Sequence, residues 1–272
     1  MTKVKDSGHF CIVPFSTIIL EPSGDIGICR LKGTEFSFGN IKDNTLEEIW
    51  NSPKLNEWRD EFISGNIDIC SREMKHMRCH MCGKNNEMLK YVDFENLKKP
   101  KILKLTANFN GQCNLQCQMC HIWKMPNGLY DEINFWSYAK ENLFPHIVEI
   151  DMLSGEPLIQ QDTYRLINEV SEINPECRWS ITTNAHWKLG QKITSHLDKI
   201  KLKQLMVSID SLDEKTYYKI RYPGKLKLVL GTVDDIIQYN HSRDERGLGK
   251  FDIYLNFLAQ KDNWREIPKL LK

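Results

Sequence analysis

Residues 102–120 read Ile102-Leu103-Lys104-Leu105-Thr106-Ala107-Asn108-Phe109-Asn110-Gly111-Gln112-Cys113-Asn114-Leu115-Gln116-Cys117-Gln118-Met119-Cys120, a β-type run opening directly into a loop with three cysteines. In parallel βα folds, ligands and catalytic groups gather on loops at the carboxyl ends of strands. Position therefore matters as much as spacing. Three thiolates can hold three corners of a [4Fe–4S] cluster. The fourth iron would then take an outside ligand, and an open position is what separates catalytic from structural metal. Cys113, Cys117, Cys120 and His121 could equally contribute to a zinc site, and the spacing by itself leaves both readings open.

Outward from this loop the pattern is regular. Strands are predicted at Ile102–Asn108, Ile147–Met152, Arg178–Thr183, Gln204–Ile209 and Phe251–Leu258. Helical stretches lie between them, at Glu132–Leu143, Thr163–Ile173, Gln191–Ile200 and Val229–Tyr239, and Trp264–Lys272 reads as one more. Alternation of this kind predicts an α/β fold of parallel βα units. Five units are too few for a closed eight-stranded barrel, so a partial (β/α) barrel is expected.

The 272 residues leave room for one large domain or two ordinary ones. A net charge of +1 gives no field directed at nucleic acid or an anionic membrane. Apolar runs such as Ile18-Ile19-Leu20 are too short for a signal or a membrane span, so a cytoplasmic location is the expectation. Thiols there stay reduced, and clustered cysteines point to metal or redox chemistry rather than disulfides.

The CxxxCxxC loop resembles the signature of the radical S-adenosylmethionine (SAM) superfamily, and the following strand ends extend the likeness. Ser154-Gly155-Glu156-Pro157 is similar to that family's GGEP motif, Thr182-Thr183-Asn184-Ala185 to its Thr-Asn-Gly turn, and Ser208-Ile209-Asp210 with Arg221 to its Ser-x-Asp strand end and following Arg. The resemblance covers about residues 101–258. It implies a cluster on Cys113, Cys117 and Cys120 whose open iron chelates SAM, and reductive cleavage of SAM to a 5′-deoxyadenosyl radical that abstracts hydrogen. Ser154, Gly155, Glu156 and Pro157 would face the SAM amino group, with Asn184 nearby. Ser208 and Asp210 would lie toward the ribose, and Arg221 would pair with the carboxylate. Met119 stands where many relatives carry an aromatic shield; its thioether is apolar and polarizable. Asn256 is the one adenine-side candidate on the fifth strand.

Residues 1–97 read differently. A β-hairpin is expected around the turn Pro22-Ser23-Gly24-Asp25, a capping box at Thr45 and Glu48, and a further helix opening at Pro53. The spacing Cys11-x12-Gly24-x4-Cys29 resembles the opening of the SPASM motif and of the shorter twitch domain, which carry auxiliary iron–sulfur clusters. Phe38-Gly39-Asn40, Leu46 to Ser52, Arg59 and the closing Cys79-His80-Met81-Cys82 fit the likeness. It implies an auxiliary cluster on Cys11, Cys29, Cys79 and Cys82, with a zinc ribbon of the same residues as the alternative. Cys70 reads as either a fifth, alternative ligand or a buried thiol, and Cys177, just ahead of a strand, as a structural thiol.

The expectation is thus an N-terminal auxiliary module, 1–97, followed by a radical SAM partial barrel, 98–272, incomplete at its C-terminus either as a fragment or as a short natural form. Relatives with both modules mostly oxidise or cross-link peptides and proteins, while some dehydrogenate small alcohols. They draw electrons from a donor such as flavodoxin or ferredoxin. A zinc-binding adaptor on an inactive barrel is the rival reading. Radical-free methyl transfer on a doubly wound sheet is disfavoured, because no glycine-rich loop follows the first strand.

Overall fold

The computed structural model describes residues 10–29, 36–66, 88–91 and 93–270. The chain divides into two compact units, Met1–Thr106 with Leu129–Ile147, and Ala107–Gly128 with Val148–Lys272.

In the first unit, helix α1 (Val13–Ser16) carries Pro14 in its opening turn, where a missing N–H costs nothing. Strands β1 (Thr17–Leu20) and β2 (Ile26–Gly27) form the expected antiparallel hairpin, with Ile19 opposite Gly27 and Leu20 opposite Ile26. Asn40 pins the hairpin turn by donating to Asp25 Oδ1 at 3.1 Å and Ser23 O at 3.3 Å. The capping box opens α2 (Leu46–Trp50): Glu48 N donates to Thr45 Oγ1 and Thr45 N to Glu48 Oε2. Pro53 begins α3 (Pro53–Ile63) behind a Ser52 cap. Arg59 on α3 is buried and donates to Pro14 O, Trp50 O and Asn56 Oδ1, tying α1 and α2 to α3. The helix predicted over Glu132–Leu143 is instead two, α4 (Leu129–Glu132) and α5 (Phe135–Asn142). Asn134 breaks it by adopting a left-handed φ of 54°, which Asn tolerates better than most residues.

Strand β3 (Lys104–Ala107) leads into the cysteine loop. The second unit holds β4 (Glu149–Met152), β5 (Arg178–Thr183), β6 (Lys201–Ser208) and β7 (Asp252–Asn256), paired in that order and all parallel. Helices α6 (Gln161–Ile173), α7 (Gln191–Leu197), α8 (Glu214–Ile220) and α9 (Leu226–Glu245) supply the crossovers. On α6 the buried set Tyr164, Ile167 and Val170 recurs every third residue, so one stripe faces the sheet. The core between includes Ile150, Trp179, Ile181, Leu205, Val207 and Val229. The sheet does not close: β7 stands at the edge, with Tyr254 and Leu255 about half exposed. This is a partial (β/α) barrel. A 3-10 turn and the short α10 (Ile267–Leu270) follow where one helix was expected over Trp264–Lys272. Among the described residues no helix is long and apolar enough to cross a membrane.

Candidate functional site: the cysteine loop and the strand ends

The loop after β3 is fixed by its main chain. Gln112 O accepts from Glu156 N and from Gln160 Nε2, each at 2.9 Å. Gln116 N donates to Tyr222 O and Gln118 N to Ile220 O, so the stretch between the cysteines is stitched to the end of α8. Two glycines allow close approach. A Cβ on Gly111 would lie 2.1 Å from Ile122 O, and one on Gly155 would lie 2.3 Å from Gln112 O, at a left-handed φ of 61°.

Cys113, Cys117 and Cys120 line one cavity of about 290 Å³. Of the residues singled out from sequence, Gly155, Asn184, Ser208, Asp210 and Arg221 line it too, as do Met119 and Asn256. Ser154, Glu156 and Pro157 are buried and do not line it. Ser154 Oγ donates to Asn110 O. The Glu156 carboxylate accepts from Thr183 Oγ1 at 2.7 Å, Asn184 N at 2.6 Å, Trp187 Nε1 at 3.1 Å and Leu158 N at 3.2 Å. It fastens the end of β4 to the end of β5. The turn after β5 keeps its left-handed residue although Ala185 stands there, at φ 52° and fully buried. Such a conformation costs an L side chain about 1 kcal/mol.

Protein N–H groups are aimed at two of the sulfurs. Cys113 Sγ accepts from Leu115 N at 3.4 Å and Asn184 Nδ2 at 3.6 Å, and Cys117 Sγ from Arg221 Nη1 at 3.9 Å. Arg221 is held in turn by Asp210, whose Oδ2 lies 2.7 Å from both Nε and Nη2. Burial pushes the Cys113 thiol up to about 11, against the N–H of Leu115, with Glu156 and the neighbouring thiols adding to the rise. Burial likewise raises Cys117, opposed by Arg221. Burial also raises the Glu156 carboxyl, and its four donors pull the other way. Thiols whose ionisation is resisted by burial still ionise when a metal takes the proton's place. The donor set suits an iron–sulfur cluster: three cysteines lining one cavity, with N–H donors of the kind that surround ligand sulfurs. Among the described residues no three His, Cys, Asp or Glu side chains are grouped around a single ion position.

Several contributors had no mark in the sequence. Asn114 bridges Asn184 and His186 O, and Leu258 N caps Asp210 Oδ1 at 2.8 Å. Cys11 and Cys29, half-buried, flank the hairpin of the first unit. Cys70, Cys79 and Cys82 lie outside the described residues. Cys177 is buried, as expected of a structural thiol.

Comparison with known proteins gives the following. The family model of the Radical SAM superfamily matches residues 107–264, and that of SPASM, an iron-sulfur cluster-binding domain, matches residues 11–83. GTP 3′,8-cyclase of Campylobacter lari is 27% identical over 138 residues, 49% of this chain and 42% of that protein. GTP 3′,8-cyclase of Clostridium botulinum is 30% identical over 144 residues, 49% of this chain and 43% of that protein. The chain thus covers less than half the length of these relatives. Streptococcus suis SuiB bound to precursor peptide SuiA aligns with a TM-score of 0.47 at 16% identity, over 95% of this chain and 58% of that one.

Proposed function

Because the chain belongs to the Radical SAM superfamily, we propose that it cleaves SAM reductively on a [4Fe–4S] cluster held by Cys113, Cys117 and Cys120. The superfamily's cofactors are that cluster and SAM, and the SPASM match adds an auxiliary iron–sulfur cluster. The observation that carries the reading is the convergence of the three thiols on one cavity with Asn184 and Arg221 turned toward them. Held by Cys113, Cys117 and Cys120, such a cluster would supply the electron for reductive cleavage of SAM, and with it the 5′-deoxyadenosyl radical chemistry of hydrogen abstraction from substrate. The chain's part is placement. Gly155 lets the loop main chain come close to the ligand, beside Ser154, Glu156 and Pro157. Ser208, Asp210 and Asn256 also line the cavity, and Arg221, oriented by Asp210, would bring its positive charge to the SAM carboxylate. Leu115, Leu153 and Leu258 add apolar surface to the cavity lining.

The substrate we favour is a peptide or protein undergoing oxidative modification, with dehydrogenation of a small molecule as the other outcome. An auxiliary cluster on Cys11, Cys29, Cys79 and Cys82 in an N-terminal module, 1–97, would take the electron left after hydrogen abstraction; the barrel, 98–272, would hold SAM. The electron donor would be flavodoxin or ferredoxin, and the setting cytoplasmic. Anaerobic incubation with SAM and dithionite tests the reading. Wild type is expected to release 5′-deoxyadenosine and to hold about eight iron atoms, from two four-iron clusters. Cys117→Ala is expected to release none. Zinc without iron would instead favour an adaptor.

A further inference from the structure

We infer that Glu156 and Asp210 are positioning residues, each holding one side-chain N–H donor against one ligand sulfur, and that these two donors, added to the main-chain N–H of Leu115 on Cys113, raise the reduction potential of a cluster held in this cavity. The inference rests on the reading above that Cys113 and Cys117 are ligands. Two relays run from the strand ends to the loop. In the first, Glu156 Oε2 fixes Asn184 through its main-chain N at 2.6 Å. The side chain of Asn184 is locked as well: Oδ1 accepts from His186 N at 2.7 Å, and Nδ2 donates to Asn114 Oδ1 at 2.9 Å and to Cys113 Sγ at 3.6 Å. In the second, Asp210 takes Arg221 on Oδ2 and Leu258 N on Oδ1, while its main-chain oxygen accepts from Asn263 Nδ2 at 2.7 Å. That leaves Nη1 of Arg221 for Cys117 Sγ.

Both carboxylates are buried, at 0% and 1% exposure, so water does not compete for these bonds. Cys120 is exposed, and its sulfur accepts no such bond among the described residues. The pocket therefore treats its three sulfurs unequally. Hydrogen bonds to ligand sulfurs are among the protein's means of setting a cluster's potential. A donor or a cation beside a sulfur favours the electron-rich, reduced cluster. Removing either lowers the potential.

The test is an anaerobic redox titration of the reconstituted full chain without SAM, following the EPR signal that responds when SAM is later added. Asn184→Ala and Arg221→Gln are expected to titrate at lower potential than wild type, with Arg221→Lys between. Glu156→Gln removes a charge in any background, so its positioning role is read from a cycle. Its shift should be more negative when Asn184 is present than in Asn184→Ala. Asp210→Asn should show the same asymmetry with Arg221 against Arg221→Gln. Unchanged potentials in Asn184→Ala and Arg221→Gln would overturn the inference, and equal shifts in both backgrounds would overturn the role of the carboxylates. Should a truncated variant fail to take up iron, Asn184→Ser and Arg221→Lys decide. Their shorter donors sit farther from sulfur, so a lowered potential supports the inference and an unchanged one overturns it. Wild type without iron would sink the ligand reading itself, a different result from any of these.

Discussion

Replacing Gly155 by Ala should damage the cysteine loop more than a lost glycine ordinarily does. Two costs add. The left-handed φ of 61° costs Ala about 1 kcal/mol over Gly. The new Cβ would also sit 2.3 Å from Gln112 O and 2.6 Å from Gln160 Nε2. Gln160 can swing away, but it then gives up its bonds to Gln112 O and Ser154 O, about 1 kcal/mol each. The Gln112 carbonyl is backbone and must retreat by about 1 Å, weakening its bond from Glu156 N. The total is about 3 kcal/mol, a fall in Tm of about 10 °C for a domain of this size. Because Gln112 precedes Cys113, iron uptake should fall with it. Gly128→Ala is the control: its φ is 85°, yet nothing lies within 4 Å of the added Cβ. It should cost only the conformational part. Urea unfolding of both variants with iron analysis measures the difference. Equal costs for the two, with full iron in Gly155→Ala, would refute the claim that the loop is clamped against β4.

Three further expectations concern other parts of the chain. Arg59→Met strands the buried carbonyls of Pro14 and Trp50 and should destabilise the first unit by about 3 kcal/mol, read from its denaturant midpoint; burial already holds that guanidinium down to about 10. Burial, and then Lys225, hold His186 below its ordinary value of 6.5. The unfolded chain therefore binds a proton first as pH drops, and His186 contributes stability present above pH 6.5 and lost as pH falls through its lowered folded value. Urea midpoints from pH 7 to 5 (about the range in which His titrates) should fall more steeply for wild type than for His186→Gln, and parallel slopes would count against it. Cys177 is 2% exposed, its thiol pushed up to about 12 by burial, whereas Cys120 is exposed. Brief alkylation of the iron-free chain followed by peptide mapping should label Cys120 well before Cys177.

Much of the fold could be read locally. β5 was bounded correctly because its run of aromatic and β-branched residues is closed by Asn174-Pro175 on one side and Asn184 on the other, and α2 was anticipated because a capping box is a local signal. The cysteine loop declared itself by spacing and by its place after a strand. The break at Asn134 did not, since the flanking residues keep a helical pattern and only the backbone at one residue departs from it. The site's supports were hidden for another reason. Glu156 meets Asn184 across 28 positions, and Asn184 meets Cys113 across 71, so no window of sequence contains either bond. Family resemblance gave Glu156 as a SAM contact along with its neighbours, and what no resemblance announced is that its carboxylate is buried and takes four protein donors. What resemblance cannot convey is which side chains touch ligand and which hold those that do.

Reductive SAM cleavage in this cavity requires three sulfurs that leave one iron free to bind SAM. Low-temperature EPR of the reduced, reconstituted chain, recorded before and after adding SAM, examines that directly. A four-iron signal whose shape changes with SAM, and which disappears in Cys117→Ala, is the expected result. A spectrum indifferent to SAM, or a SAM-responsive signal surviving in Cys117→Ala, would contradict it.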